Sequence, residues 1–153
     1  MHSRIFKIVG KDCLDLVKKS PSLLFVYEEE VPHFADYVVD SDLDEDFKWL
    51  VSYLKKCENY IEVSKDHRSI IFLKGFKHFY FESNFNILKE IFNSDDGLDK
   101  FINNSWLISN LVDEKFSFYV ADEYNCWETF DSFLRYMEED KIYYVIDSVD
   151  YHY

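Results

Sequence analysis

The chain reads as a series of short apolar runs whose period alternates between strand-like and helix-like, with few breaks between them. Over residues 3–9, SRIFKIV, Ile5, Lys7 and Val9 alternate with Arg4, Phe6 and Ile8, which predicts a strand. Residues 11–20, KDCLDLVKKS, place Cys13, Leu14 and Val17 on one side of a short helix that stops at Ser20-Pro21, because the residue before proline is pushed out of the α region. LLFVYEEE fits a strand or an apolar piece of helix equally, and FADYVVD over 34–40 fits a strand. The clearest helix spans 42–56, where Leu43, Phe47, Leu50, Val51 and Leu54 form one apolar stripe. Ser41 is its expected N-cap. Asp42, Asp44, Glu45 and Asp46 load its start and Lys55 and Lys56 its end, each suiting the helix dipole by about 0.3–1 kcal/mol.

A β-rich middle follows. YIEVS (60–64), SIIFLKG (69–75) and KHFYFES (77–83) are aromatic and β-branched, and they predict an antiparallel meander of three strands. In this reading His67 sits in a turn and His78 in a strand, half-buried. NFNILKEIFN (84–93) and LDKFINNSWLISNLV (98–112) carry helical spacing, and FSFYVAD (116–122) is strand-like. CWETFDSFLRYMEED (126–140) predicts a helix with Trp127, Phe130, Phe133, Leu134 and Met137 facing inward. IYYVIDSV (142–149) is the last strand, and Asp150–Tyr153 reads as a loose tail whose tyrosines, near acids, suit a protein-binding surface. The sum is a single α+β domain over 1–153, with an antiparallel or mixed sheet and four to five helices. No Gly-, Ser- or Pro-rich tract divides it.

Composition sharpens this picture. Hydrophobic residues make up 48% of the 153 residues and aromatics 20%, enough for a true core and unlike a disordered chain. Phe76, Phe79, Phe81, Phe85 and Phe92 are read as core. With 3 Gly, the chain has no glycine loop to cradle a phosphate. Cys13, Cys57 and Cys126 are far apart and odd in number, which gives neither a disulfide framework nor a zinc spacing. Cys126 is read as a small buried apolar residue. No apolar run reaches the length of a membrane span, and the start of the chain lacks a secretory pattern, so a reducing cytoplasm is the expected compartment.

Charge is the strongest signal. The net charge of −13 argues against nucleic acid, whose binding depends on lysines and arginines displacing counterions, and against anionic membranes. The charge is also uneven. Residues 28–46 hold nine carboxylates and no lysine or arginine, and residues 93–153 hold a further excess of acids. Asp40, Asp42 and Asp44 match the first positions of a calcium-binding loop, but Glu45 stands where glycine is needed and Val51 where a bidentate glutamate is needed, so no metal is expected. No histidine pair, serine-nucleophile motif or cofactor-binding motif is present, and no cofactor is expected.

Three segments, DLDEDFKWLVSYL, KDCLDLVKKSPSLL and FDSFLRYMEEDKIYYVI, resemble the bacterial YfbM-like family. The resemblance implies a small cytoplasmic α+β domain of unknown function. Where that family has Trp-His this chain has Phe47-Lys48, and a second family histidine falls at Val51, so any role of those residues is not carried over.

Two functions follow as expectations. The first is an acidic protein-binding module, an inhibitor or immunity-type protein that covers a basic partner through Glu28, Glu29, Glu30, Asp36, Asp40, Asp42, Asp44, Glu45, Asp122 and Glu123. The alternative is a small enzyme or ligand-binding domain of unrecognised type, with a deep pocket and a perturbed acid or histidine.

Overall fold

The computed structural model describes residues 2–93 and 118–153, with Asp96, Asp99 and Ile102 between them. The helix expected over 98–112 lies outside the described residues. The fold is α+β. Among the described residues a seven-stranded mixed sheet is accompanied by five α-helical segments and two short 3-10 segments, so helical pieces somewhat exceed the four to five expected. The strands are β1 (His2–Gly10), β2 (Tyr37–Asp40), β3 (Ile61–Ser64), β4 (Ser69–Phe72), β5 (Tyr119–Ala121), β6 (Trp127–Thr129) and β7 (Ile142–His152). The α-helices are α1 (Leu14–Val17), α2 (Leu23–Glu29), α3 (Leu43–Tyr53), α4 (Phe76–Asn93) and α5 (Phe130–Tyr136).

The sheet runs β3-β4-β7-β1-β5-β6, and β2 pairs with the far end of β7. Among the described residues only β1 and β5 run parallel. β1 is buried on both faces, so IFKIV is a nearly continuous apolar run instead of a clean alternation. β7 is the trunk. It pairs with β1 from Tyr143 to His152, apart from the bulge, while β4 takes the start of its other edge and β2 the end.

One extra residue in β7 shapes both cores. Lys7 opposes Asp147 but Ile8 opposes Val145, so Ile146 is a bulge residue. Side chains of an unbroken strand alternate with period two. The bulge resets that alternation: Tyr143 and Val145 enter one core, whereas Val149 and Tyr151 enter the other. The larger core gathers Phe6 and Ile8 with Phe47 and Leu50 of α3, Phe76 and Tyr80 of α4, and Phe130 and Leu134 of α5. The smaller core, on the opposite face, gathers Ile5, Tyr119, Val149 and Tyr151 under Leu23 and Tyr27 of α2. Phe34 plugs it, stacked on Tyr119 with ring centroids 3.9 Å apart.

Several local expectations are corrected. Asp42, not Ser41, caps α3: its carboxylate accepts from the N–H groups of Asp44 (2.9 Å) and Glu45 (3.1 Å). Ser41 instead donates to the buried Asp46 at 2.6 Å. The expected helix over 126–140 begins as β6. Asn125 adopts φ 62°, the Asp122 carboxylate accepts from the N–H groups of Tyr124 and Cys126, and the chain folds back on β5. Trp127 therefore packs against the smaller core, and Cys126 is exposed in the turn. The tail is not loose. β7 continues to His152 because β1 and β2 pair with it from both sides, and Tyr151 is fully buried.

The third strand of the expected meander is a helix. KHFYFES belongs to α4, and His78 is exposed beside Glu82. Phe76 and Tyr80, one helical turn apart, point into the larger core, and Phe79 stacks on Tyr60 at 4.8 Å. Phe85 is solvent-exposed, contrary to a core role. The helix start is capped from far along the chain. Glu139 accepts from the N–H groups of Gly75 (3.1 Å) and Lys77 (2.9 Å), and Asp140 accepts from that of Lys74 (3.0 Å). Gly75 has φ 92°, a left-handed conformation that side chains disfavour, and a Cβ there would meet the Tyr60 ring at 3.4 Å. The backbone N–H of Lys77, with that of Gly75, holds the Glu139 pKa below its ordinary value. Replacing Glu139 by Ala is expected to destabilise the protein by about 1 kcal/mol, the usual worth of a cap. A folded-state pKa that is lowered contributes stability above the ordinary glutamate value of 4.5 and loses it as the pH falls through the folded value. Urea unfolding of both proteins at stepped pH checks this: the gap between them should close on acidification.

Candidate functional site

The acidic segment is spread over three elements. Ser22 caps α2 by accepting from the Phe25 N–H at 3.2 Å. Leu23 and Tyr27 face inward, which leaves Phe25, Glu28 and Glu29 at i, i+3 and i+4 on the outer face, followed by exposed Glu30 and Val31. Asp36 precedes β2 and donates its N–H to the carbonyl of His152 at 2.7 Å. β2 is paired on one side only, by β7, among the described residues, and it exposes Tyr37 and Val39. Asp40 and Asp42 then lead into α3.

The acids differ in how they are compensated. Among the described residues, Glu28, Glu29, Glu30, Asp36, Asp40 and Asp42 show no ion pair with lysine or arginine. Asp36 faces His152 at 3.4 Å. Asp44 pairs with Arg68 at 2.7 Å and Glu45 with Lys48 at 2.6 Å. Asp46 is drawn inside, where it pairs with Arg4, whose guanidinium lies 4.6 Å from the Trp49 ring centre. α2 packs on β2, and Asp36 and Asp40 flank the two ends of that short strand. Asp122 and Glu123 follow β5, with β7 and β1 intervening between them and β2. Both are half-buried and hold local structure: Asp122 fixes the β5–β6 turn, and Glu123 accepts from the Cys13 thiol at 3.4 Å.

Val38 packs in the smaller core under α2, so Tyr37 lies on the opposite face of β2, beside two histidines. The Tyr37 ring stacks on His152 at 4.9 Å, and His2 meets His152 edge-on at 5.0 Å. His2 lies 3.1 Å from Asp150. None of these pairings is legible in the sequence, where the partners stand at opposite ends.

Sequence reasoning also passed over Lys7, the alternate position of a strand. It is 2% exposed, on the Ile5 face of β1, where the bulge sets it opposite Asp147. Its ammonium donates to the Pro21 carbonyl at 3.2 Å, and the Asn125 amide donates to the same oxygen at 3.4 Å. Asp147 accepts from the N–H groups of Leu23 (2.8 Å) and Ser148 (2.9 Å), which fixes the start of α2. Burial lowers the Lys7 pKa, and Asp147, Asp122 and Glu123 oppose that fall. The one signal was a lysine inside a run of otherwise apolar residues. The arrangement clamps residues 20–23 to the sheet.

The hydroxyls and thiols of the interior are tuned away from neutral-pH chemistry. Burial pushes up the pKa of Tyr27, Tyr53 and Tyr80, and Asp131 and Asp122 add to the effect. Tyr80 lies within hydrogen-bond distance of the Tyr53 hydroxyl (3.1 Å) and donates to Asp131 (2.9 Å). Burial also raises the thiol pKa of Cys57, and burial with the neighbouring Glu123 raises that of Cys13, which reduces the thiolate fraction. No group of three or more His, Cys, Asp or Glu side chains among the described residues is placed to hold a metal ion. Among them, too, no helix is long and apolar enough to cross a membrane.

No family model, curated protein or solved structure matches the chain. One buried group gives a direct test of the packing under α2. The Tyr27 hydroxyl is buried without a hydrogen-bond partner among the described residues. An unsatisfied buried hydroxyl costs about 1–3 kcal/mol, so Tyr27→Phe is expected to raise stability by about 1 kcal/mol, read as a higher urea midpoint at unchanged slope.

Proposed function

We propose that the chain is a protein-binding module, an inhibitor or immunity-type protein whose acidic surface on α2 and β2 covers a basic site on its partner. One observation carries the reading. Glu28 and Glu29 share the exposed face of α2 with Phe25, which is 55% exposed, and run on into exposed Glu30 and Val31, the latter 42% exposed, with no lysine or arginine paired to these three glutamates among the described residues. Interfaces of this anatomy have an apolar, aromatic-rich centre and a polar rim. The carboxylates would steer a cationic partner and fix its register, while the apolar residues supply the buried area. Asp42, Asp44 and Glu45 continue the negative charge onto the first turn of α3. Asp122 and Glu123, tied into local structure, would contribute only to the long-range field.

Affinity capture from lysate at low and high salt tests the reading, with two variants of equal charge change. In the first, Glu28, Glu29 and Glu30 become Lys. In the second, the exposed Asp15, Asp66 and Glu138 become Lys. The expected outcome is a single basic protein retained at low salt and released at high salt. The first variant should bind it at least about tenfold more weakly, while the second stays close to the parent. Equal loss in both variants would reduce the effect to net charge, and capture of no basic protein at any salt would refute the proposal.

A further inference from the structure

A second site lies on the larger-core side of the sheet, and its charge is opposite to that of the chain. α3 and β3 flank a cleft of about 510 Å³, lined by Phe47, Val51, Ile61 and Val63 and rimmed by Lys48, Lys55 and Lys65. That size is in the range of small-molecule pockets. Phe47 is buried, and the other three apolar residues are half-buried against the core, so the floor is preformed. Lys48 lies on α3, and Lys55 on the 3-10 segment, Leu54–Tyr60, that follows it. The Arg68–Asp44 ion pair holds the turn after β3 over the first turn of α3, which brings Lys65 to the Lys48 end of the cleft.

The rim carries three lysines and one carboxylate, Glu58, on a chain whose net charge is −13. Among the described residues Lys55 and Lys65 show no ion pair. Lys48 is paired with Glu45, but both side chains are about two-thirds exposed, and an exposed pair of this kind is weak and yields readily to a better-placed anion. A negative chain repels anions at long range, so a lysine rim above an apolar floor selects a ligand that satisfies both at once. We propose that this cleft binds an amphipathic organic carboxylate, with its acyl or aryl body over Val51, Ile61 and Val63 and its carboxylate between Lys48 and Lys65.

Titration of the isotope-labelled protein with octanoate, octanol and octylammonium, followed through backbone amide resonances, tests this. Octanoate should produce saturable shifts centred on Val51, Ile61 and Val63. Octylammonium, although the net charge attracts it, should bind at least about tenfold more weakly, about 1.4 kcal/mol. Lys48→Glu combined with Lys65→Glu, both on exposed side chains, should reverse the preference while the remaining resonances keep their positions. Equal binding of octanoate and octanol would remove the anion from the proposal. Shifts centred elsewhere, or no saturable binding by octanoate, would overturn it.

Discussion

The pairing of β1 with β7 is the constraint on which the remaining structure depends. An eleven-residue strand would ordinarily present one face to one core. With Ile146 bulged out, β7 gives Tyr143 and Val145 to the core under α3, α4 and α5, and Val149 and Tyr151 to the core under α2. β1 has no such switch, so its residues supply both cores by simple alternation, Ile5 to one and Phe6 to the other. Two apolar layers thus share these strands, and β5 as well, with Val120 in the larger core and Tyr119 and Ala121 in the smaller. The bulge also places Asp147 opposite Lys7, so the same irregularity that divides the cores sets up the clamp on residues 20–23.

Carboxylates serve two separate purposes in this molecule. Some are internal fasteners. Glu139 and Asp140 fix the start of α4, Asp147 the start of α2, Asp42 the start of α3, and Asp122 the β5–β6 turn. In each case a carboxylate meets backbone N–H groups that would otherwise lack partners, an economical use of charge in a chain with few glycines to shape its turns. Asp46 is held by side chains instead, the Arg4 guanidinium and the Ser41 hydroxyl. Glu28 to Glu30 make no such bond among the described residues, and the proposed interaction surface is built around them, with Asp40, which accepts from the Ser41 N–H, and Asp36, which faces His152. Net charge alone does not distinguish the two populations.

The site was legible in part. The exposure of Glu28 to Glu30 follows from the helical phase of α2, since Leu23 and Tyr27 must face the sheet. Asp122 and Glu123 have a different role, because the tight turn at Asn125 engages the Asp122 carboxylate and the Glu123 carboxylate meets the distant Cys13 thiol. The His2–His152 contact and the lysine-rimmed cleft left no local trace, as each depends on strands or helices distant in sequence that come to lie side by side, and Lys7 left only a lysine inside an apolar run.

The sequence by itself determined the α+β class, β1, β3 and β4, the apolar stripe of α3 and the uneven charge, because period and composition are properties of short windows. Tertiary structure decided the rest. KHFYFES became helix because Glu139, over 60 residues away, caps it and because Phe76 and Tyr80 find a core on one side. Trp127 became strand because the chain could turn back on β5. Asp150–Tyr153 became ordered strand because β1 and β2 supply hydrogen-bond partners on both sides. In all three, local preference was nearly balanced, and partners remote in the chain settled the conformation.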